Sequence, residues 1–387
     1  MLYQTCVQVH LDAIGHNLTA IRERVGPDRL ILAAVKADAY GHGAVAVSRH
    51  VQAHGYADML GVATVPEGLE LRQAGITLPI LKLSHVFPAE AATAVACDLT
   101  VAVVDVESAR VVQEAAAQLA AARPDEPVRR TRVHVKVDTG MRRIGCEPEQ
   151  APELAAWVEQ ECPHVELEGI FTHLPVSDTP SQDDFTAEQL ARFGECRAEV
   201  EAALGGRRLI AHAANSGGVL AHPNAWLDMV RPGVMVYGSY PDPDVPHTVP
   251  LRPALTWQSL VSFVKDVPAG ETVGYGRTWS SPAPARIATV PVGYGDGYDR
   301  RSSNRGQVLI DGCRYPIVGR VCMDQLMVDV TDAPPGRPVQ VGHRVILIGQ
   351  DGAEQLSAAE LAAELDTIPY EVTCRIAPRV TRLYGDA

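Results

Sequence analysis

Short apolar runs rich in β-branched residues recur along the first 240 residues and alternate with amphipathic segments. Eight such runs predict strands, and they lie at residues 30–36, 58–63, 78–84, 98–104, 131–137, 165–173, 208–215 and 229–238. Between them, segments such as 106–122 and 183–206 space their apolar residues three and four apart, which predicts helices. Apolar strands alternating with helices are typical of a parallel sheet, and eight repeats predict a (β/α)8 barrel.

The pattern changes around residue 242. The stretch "PDPDVPHTVPLRP" carries five prolines and marks a boundary. Beyond it, alternating strand-like runs predict a mostly β domain with one helix over residues 357–366, in which Ser357 is the N-cap and Glu360 follows three residues later. We therefore predict a barrel domain over residues 1–242 and a β domain over residues 243–387, and residues up to about 10 can join either one.

Composition narrows the function. The 387 residues are 46% hydrophobic, which is enough for a large core, and their net charge of −13 argues against a nucleic-acid partner. We find no apolar run of membrane-spanning length and no secretory leader, so we expect a cytoplasmic protein without a membrane partner. Eight cysteines without a C-x-x-C pair favour reduced thiols and no metal site.

Candidate chemistry collects where the predicted barrel strands end, because these ends share one face of the barrel. Lys36 ends the first strand, Lys136 lies in the fifth and His173 ends the sixth. The seventh and eighth strands run into "HAANSGG" and "RPGV", whose glycine amides and Ser216 hydroxyl suit a phosphate. A lysine facing a phosphate in a desolvated pocket is suited to a Schiff base with pyridoxal 5′-phosphate, which points to Lys36.

Each of these features alone has a simpler explanation. A lysine at a strand end is usually solvated, "NSGG" is usually a capped helix start, and "GYGDG" is usually a tight turn. Their convergence on one barrel face favours an enzyme.

Six segments in order resemble the alanine racemases, which are pyridoxal-phosphate enzymes with an N-terminal barrel and a C-terminal β domain. These segments are "AVKADAYGHG", "KVDTGMRRIG", "HAANSGG", "RPGVMVYG", "TVGYGRTW" and "VGRVCMDQ". The resemblance implies interconversion of L- and D-alanine, which supplies D-alanine for peptidoglycan. It further implies a homodimer that shares its active sites between subunits.

The resemblance also implies roles for individual residues. Lys36 and Tyr275 would be the two catalytic bases, on opposite faces of the substrate. The cofactor would be bound by Lys36, Tyr40, His173, Asn215, Ser216, Arg231, Gly233, Val234 and Tyr370. The substrate carboxylate would be bound by Arg143 and the Met323 backbone, and Lys136 would carry a carbamate beside Arg143. The entrance would be lined by Asp178, Tyr294, Arg300 and Arg320, with Tyr275 and Tyr370 as its inner gate.

Three alternatives stay open. A racemase of broad specificity would share these motifs. An amino-acid decarboxylase of the same fold would place a carboxylate near the ring nitrogen and leave the substrate carboxylate without a strong binder, which Arg231 and Arg143 oppose. A cofactor carrier without activity would lack the second domain.

Overall fold

The computed structural model describes residues 5–125 and 129–385. The chain begins with strand β1 (Cys6–His10) and helix α1 (Leu11–Val25). In the described residues, eight parallel strands then form the barrel wall in the spatial order β8-β7-β6-β5-β4-β3-β2-β9. They are β2 (Leu30–Ala34), β3 (Met59–Val62), β4 (Ile80–Lys82), β5 (Thr100–Val103), β6 (Thr131–Lys136), β7 (Val165–Phe171), β8 (Ile210–His212) and β9 (Met229–Val230).

Backbone hydrogen bonds close the gap between β8 and β9. Asp228 N donates to Ala211 O at 3.0 Å, and Arg231 N donates to Ala214 O at 2.8 Å. Every residue of β3, β4 and β5 is buried, because helices cover one face and the barrel interior covers the other. The predicted (β/α)8 barrel is confirmed.

Helices cover the outside of the barrel. They are α2 (Ala44–His54), α3 (Val65–Gln73), α4 (Pro88–Ala96), α5 (Val106–Ala122), α6 (Ala151–Glu161), α7 (Asp183–Ala203) and the short α8 (Ser216–Ala221). Helix α5 occupies the predicted range and is capped by Asp105, whose carboxylate accepts from Ser108 N at 2.7 Å. Across residues 5–125 and 129–385, none of the helices has the length and apolarity to cross a bilayer.

The C-terminal part is mostly β, as predicted, and its strands pair mostly antiparallel. They are β10 (Leu255–Leu260), β11 (Phe263–Val267), β12 (Thr272–Val273), β13 (Trp279–Ser280), β14 (Ala285–Val290), β15 (Gln307–Ile310), β16 (Cys313–Pro316), β17 (Leu326–Asp329), β18 (Arg344–Asp351), β19 (Glu354–Leu356) and β20 (Thr381–Gly385). The largest sheet outside the barrel runs β16-β15-β18-β10-β1-β20 among the described residues, with β19 paired to β18. Its β1 lies parallel to β20, so the first described strand pairs with the last.

Two helices lie beside this sheet, α9 (Ala358–Leu365) and α10 (Pro369–Cys374). The predicted N-cap of α9 is present, since Ser357 Oγ accepts from Glu360 N at 3.0 Å. The prediction of a single helix in this part is wrong, because α10 was missed. Its residues include Val372 and Thr373, which favour strands, but Pro369 in its first turn fixes a helical φ.

Candidate active site

The chain leaves β2 through a left-handed turn that begins at Lys36. In this Lys36 turn (Lys36–Gly41), the four residues 37–40 have φ values of 53° to 54°. The left-handed conformation costs about 1–2 kcal/mol for each residue that carries a side chain. Strand β2 ends at Ala34, two residues before the predicted end, because the turn starts there. Such strained backbone clusters at functional sites and must be held by its surroundings.

Contacts from two other parts of the chain hold the Lys36 turn. Glu67 Oε1 accepts a hydrogen bond from Ala37 N at 2.8 Å. Arg382 Nε, in the last strand, donates to Gly41 O at 3.2 Å. A Cβ on Gly41 would lie 2.1 Å from Thr373 O, so α10 packs directly against the turn. The position of Lys36 therefore depends on the C-terminal residues of the same chain.

Two lysines at the barrel mouth have weakened affinity for protons. Burial lowers the pKa of Lys36, and Arg143 lowers it further. Burial, followed by Arg143 and Arg231, lowers the pKa of Lys136 to about 7. Lys136 Nζ donates to Leu83 O at 3.0 Å. At neutral pH, a substantial share of Lys136 is thus a neutral amine, which can act as a nucleophile.

Arg231 is a buried cation with uncharged hydrogen-bond partners. Its Nη1 donates to His212 Nδ1 at 2.9 Å, and its Nη2 donates to Thr172 O at 2.7 Å and to Ala213 O at 3.0 Å. Burial lowers its pKa to about 9, so the guanidinium remains charged at neutral pH. Among residues 5–125 and 129–385, no carboxylate forms a hydrogen bond or ion pair with this positive charge.

An aromatic ring lies close to both the Arg231 and the Lys136 side chains. The Phe171 centroid is 5.4 Å from the Arg231 guanidinium carbon and 5.3 Å from Lys136 Nζ. His173 Nδ1 lies 3.5 Å from Arg231 Nη2. Burial and the charge of Arg231 lower the pKa of His173 well below its ordinary value, so its imidazole is neutral. The structure thus brings His173, Lys136 and Arg231 together.

A small concave surface forms where the Lys36 turn meets the loop after β9. Gly233 N donates to Ser216 Oγ at 2.9 Å. A Cβ on Gly233 would lie only 2.4 Å from Tyr40 Oη, so only glycine leaves room for this phenol. The ring of Tyr370 lies 5.9 Å from that of Tyr40. Together with Val234, which begins a 3-10 helix, these residues form what we call the cradle.

Asn215 and Asp178 lie beside the cradle. Asn215 Oδ1 accepts from Gly218 N at 3.0 Å, which caps α8, and from Ser177 Oγ at 2.6 Å. Asp178 follows Ser177 and is half-buried, and burial raises the pKa of its carboxyl. Asn215 therefore ties the first turn of α8, which begins at Ser216 of the cradle, to the segment that carries Ser177.

The loop after β6 presents Arg143 to the lysines. Asp138 Oδ1 accepts from Gly140 N at 2.9 Å and from Arg142 N at 3.0 Å, which folds the loop back on itself. Arg143 is exposed, and it lies close enough to lower the pKa of both Lys36 and Lys136. An exposed guanidinium beside the half-buried Lys36 amine and the buried Lys136 amine is suited to bind an incoming carboxylate.

The predicted site residues of the β domain form a second group, which we call the Tyr275 surface (Tyr275, Tyr294, Arg300, Arg320 and Met323). Tyr294 N donates to Cys322 O, and Gly295 N donates to Met323 O. A Cβ on Gly274 would lie 3.2 Å from Arg320 N, which places Tyr275 beside Arg320. Arg300 lies near Cys322. Burial raises the pKa of the Cys322 thiol, and the positive charge of Arg300 partly reverses this shift.

The Tyr275 surface is unusually exposed for its aromatic and apolar residues. Tyr275 is 72% exposed, Met323 54% and Tyr294 43%. Within the described part of the chain, no hydrogen bond or ring contact joins Tyr275 to the barrel mouth. Of the C-terminal residues predicted for the site, only Tyr370 contacts the cradle through its ring.

Sequence reasoning missed Glu67, Phe171 and His212. A signal existed for Phe171, because it lies two residues before His173 at the end of a strand. His212 opens "HAANSGG" and could have been read as part of that motif. Glu67 gave no signal, since its contact with the Lys36 turn joins two separate repeats of the barrel.

The barrel mouth is suited to covalent chemistry on an anionic ligand. Lys36, Lys136, Arg143 and Arg231 influence one another's charge, and Asp138 and Glu67 are the carboxylates that oppose them. An excess of positive charge in a partly buried pocket favours a ligand that carries phosphate and carboxylate groups. Its desolvated lysine can attack a carbonyl.

Comparisons with known proteins identify relatives along the full chain. Residues 9–241 match the family described as alanine racemase, N-terminal domain, and residues 254–384 match alanine racemase, C-terminal domain. An alanine racemase of Cutibacterium acnes is 47% identical over 97% of this chain and 96% of its own. An alanine racemase of Symbiobacterium thermophilum is 46% identical over 98% of this chain and 97% of its own. The solved structure of an alanine racemase from Clostridium difficile is 35% identical, covers 100% of this chain and 97% of its own, and superposes with a TM-score of 0.92.

Proposed function

Because this chain belongs to the alanine racemase family, we propose that it racemises alanine with pyridoxal 5′-phosphate bound to Lys36. The chain is an isomerase that interconverts L-alanine and D-alanine. The observation that carries the proposed chemistry is the half-buried Lys36 amine, whose pKa is lowered by burial and by Arg143, beside Lys136 and Arg231.

The described residues fit the cofactor. The cradle would bind the phosphate through Tyr40, Ser216, Tyr370 and the amides of Gly233 and Val234, and Gly233 leaves the room that the Tyr40 phenol needs. Asn215 would hold the cradle in place. When bound, pyridoxal phosphate supplies an electron-withdrawing ring that acidifies the α-proton of an attached amino acid.

Arg231 would donate a hydrogen bond to the ring nitrogen, and neutral His173 would support the ring beside it. A guanidinium keeps its protons, so Arg231 would orient the ring without protonating it. This makes the ring a weaker electron sink than a protonated ring would be, which limits side reactions.

Lys36 and Tyr275 would move the proton at the two faces of the substrate Cα. The lowered pKa of Lys36 leaves its Nζ able to accept a proton on one face. Tyr275 Oη would hold or deliver the proton on the other face. Two bases on opposite faces suit racemisation, because one removes the proton while the other returns it.

Arg143 and the Met323 backbone would bind the substrate carboxylate, and Lys136 would carry a carbamate that braces Arg143. The support is the pKa of Lys136 near 7, because only a neutral amine adds CO2. Protein incubated with 13C-labelled bicarbonate should give a carbamate carbon signal that is missing from K136A. Identical spectra would remove the carbamate from the proposal.

We propose a homodimer in which the Tyr275 surface of one subunit completes the barrel mouth of the other. The support is the exposure of Tyr275 and Met323, since large apolar side chains on a surface favour an interface. By this arrangement Asp178, Tyr294, Arg300 and Arg320 would line the entrance, with Tyr275 and Tyr370 as its inner gate.

Two inactive variants test the shared site. Co-expressed K36A and Y275F chains should form about half mixed dimers with one intact site each, which gives roughly a quarter of wild-type L-to-D activity. Each variant alone should have far less than this activity. An inactive mixture that contains mixed dimers would contradict the shared site.

Two measurements test the cofactor and the bases. Reduction of the yellow holoenzyme with borohydride should abolish its visible band and add the cofactor mass to the peptide with Lys36. Y275F should slow removal of the α-proton from L-alanine while the visible band remains. A label on another residue, or unchanged turnover of L-alanine, would contradict the assignment.

The same enzyme preparation tests the substrate and the setting. Alanine should be racemised faster than lysine or arginine, because the gate tyrosines and Met323 leave a tight pocket. Faster turnover of the basic amino acids would favour a broad-specificity racemase. We propose a cytoplasmic enzyme that supplies D-alanine for peptidoglycan, supported by its eight free thiols, which suit a reducing compartment.

A further inference from the structure

A row of hydrogen bonds runs from Arg231 through the barrel interior. Arg231 Nη1 donates to His212 Nδ1 at 2.9 Å. His212 Nε2 lies 2.8 Å from His134 Nδ1, and His134 Nε2 lies 3.0 Å from Glu168 Oε2. Both histidines are completely buried, whereas the Glu168 side chain is 20% exposed. The row therefore links a buried cation at the mouth to a carboxylate near solvent.

The chemistry of arginine fixes the direction of every bond in this row. A guanidinium has donors and no acceptor, so His212 Nδ1 must carry a lone pair and its proton must be on Nε2. That proton is donated to His134 Nδ1, which leaves the His134 proton on Nε2, facing Glu168. Burial and the charge of Arg231 hold the pKa of His212 well below its ordinary value, in keeping with a neutral ring.

Glu168 ends the row as an anion. Burial raises the pKa of its carboxyl. The hydrogen bond from His134 and the positive charge of Arg132 both lower this pKa, and their combined effect exceeds that of burial, so the net pKa is lowered. Arg132 Nη1 lies 4.0 Å from Glu168 Oε1. The negative charge is thus opposite the positive charge of Arg231, with two neutral imidazoles between them.

The backbone is adapted to this row. The pairing of β6 with β7 shifts between Val133 and His134, so that Val133 faces Leu167 while His134 faces Gly169. Glu168 is the extra residue of this bulge, and bulges redirect side chains near active sites. A Cβ on Gly169 would lie 2.6 Å from the His134 ring. The bulge and the glycine together make room for the imidazole and turn the carboxylate toward it.

Ring stacking fixes the next member of the row. Phe171 and His212 are nearly parallel, with an interplanar angle of 5° and centroids 4.7 Å apart. The same Phe171 ring lies beneath Arg231 and Lys136. A shift of His212 would therefore move Arg231 as well.

We propose that His134 and Glu168 are positioning residues that act on Arg231 through His212. They fix the guanidinium in one orientation and balance its charge from a distance, without placing a carboxylate against the ring nitrogen. The inference rests on the proposed function in one respect, which is the contact between Arg231 and that nitrogen. Neither residue touches substrate or cofactor.

The first test uses the apo protein labelled with 15N-histidine. We expect the NMR signals of His212 and His134, assigned from single substitutions, to report neutral rings protonated on Nε2. A His212 ring protonated on Nδ1 would overturn the proposal, because Arg231 could not then donate to it. This reading needs no cofactor, so it stands apart from the proposed function, whose failure appears as a wild-type enzyme without racemase activity.

The second test uses kinetics of the holoenzyme. E168Q keeps an acceptor for His134 but removes the negative charge. We expect kcat to fall about tenfold, which equals the change in an equilibrium constant that one pKa unit represents. KM for alanine should stay within about twofold of wild type. E168D, which keeps the charge, should restore part of kcat. E166Q is the matched control, because Glu166 is an exposed residue of the same strand, and it should match wild type.

Two kinetic outcomes would overturn the positioning role. Wild-type kcat in E168Q would show that the carboxylate does not act on Arg231. A loss in E168Q that appears in KM or in thermal stability alone, with kcat intact, would make the row a structural element only.

Discussion

Replacing Gly233 by alanine should displace a phenol and loosen the cradle. A Cβ at this position lies 2.4 Å from Tyr40 Oη and 3.1 Å from Tyr40 Cζ. The φ of Gly233 is −115°, which lies outside the left-handed region, so the strain of positive φ does not enter. The closest contact is therefore a single hydroxyl oxygen.

The size of the effect follows from this contact. Overpacking of a filled site costs about 1–3 kcal/mol, so G233A apo protein should lose about that much stability. A hydrogen bond to a charged group contributes about 1.5–3 kcal/mol, so losing the Tyr40 phenol should weaken cofactor binding by about 10- to 100-fold. In a Y40F background the oxygen is gone, and G233A should then cost much less.

Urea unfolding of four apo proteins gives the free energies of unfolding for a double-mutant cycle. Fluorescence titration with pyridoxal phosphate gives the Kd of the cofactor for each protein. The four are wild type, G233A, Y40F and the double variant. G194A is the control, because a Cβ on Gly194 meets nothing within 4 Å in the middle of α7, and it should be neutral or slightly stabilising. If G233A costs as much in the Y40F background as in wild type, the clash with the phenol is not the cause.

Three further changes probe parts that support the site. The unfolded chain binds a proton at Lys136 more tightly than the folded one between pH 7 and the ordinary pKa of 10.5, so stability of the apo protein in CO2-free buffer should rise with pH over this range. K136M should flatten that rise. If the stability of K136M, measured by urea unfolding, rises with pH as steeply as that of wild type, the assignment to Lys136 is contradicted. R382A removes the donor to Gly41 O together with the donors to Ile376 O, Ala377 O and Val380 O. It should cost about 1–3 kcal/mol of stability and weaken cofactor binding, with R382K intermediate. Unchanged unfolding and an unchanged cofactor Kd would argue against a role of Arg382 in holding the Lys36 turn. S357A removes the N-cap of α9 and should cost about 1 kcal/mol, read as a lower Tm, and an unaltered Tm would be the contrary result.

The sequence predicted the parts of the site that local patterns encode. Strand runs and their ends placed Lys36, Lys136 and His173 on one barrel face, because strand C-termini share that face whatever the loops do. The family resemblance added the roles of Tyr275 and Arg143, which no periodicity could assign. These roles stay proposals that the variants above address.

The features that were missed are non-local. Residues 37–40 read Ala-Asp-Ala-Tyr, a composition that does not favour left-handed backbone. Contacts of the turn with Glu67 and Arg382, together with local hydrogen bonds of Asp38 and His42, hold that conformation. The row from Arg231 to Glu168 joins three strands and a bulge, and spacing along the chain does not reveal it. Sequence alone could not predict contacts that form after the barrel closes.

The parallel pairing of β1 with β20 has a consequence for how the enzyme is made. Cys6 pairs with Thr381, and Arg382 and Thr373 contact Gly41, so elements near the start of the chain wait for its last residues. At a translation rate of about 5–20 residues per second, the C-terminal contacts reach the Lys36 turn roughly half a minute after it leaves the ribosome. A nascent or prematurely terminated chain thus carries the lysine without its support. The proposed cofactor site would be complete only after residues 373–385 have been synthesised.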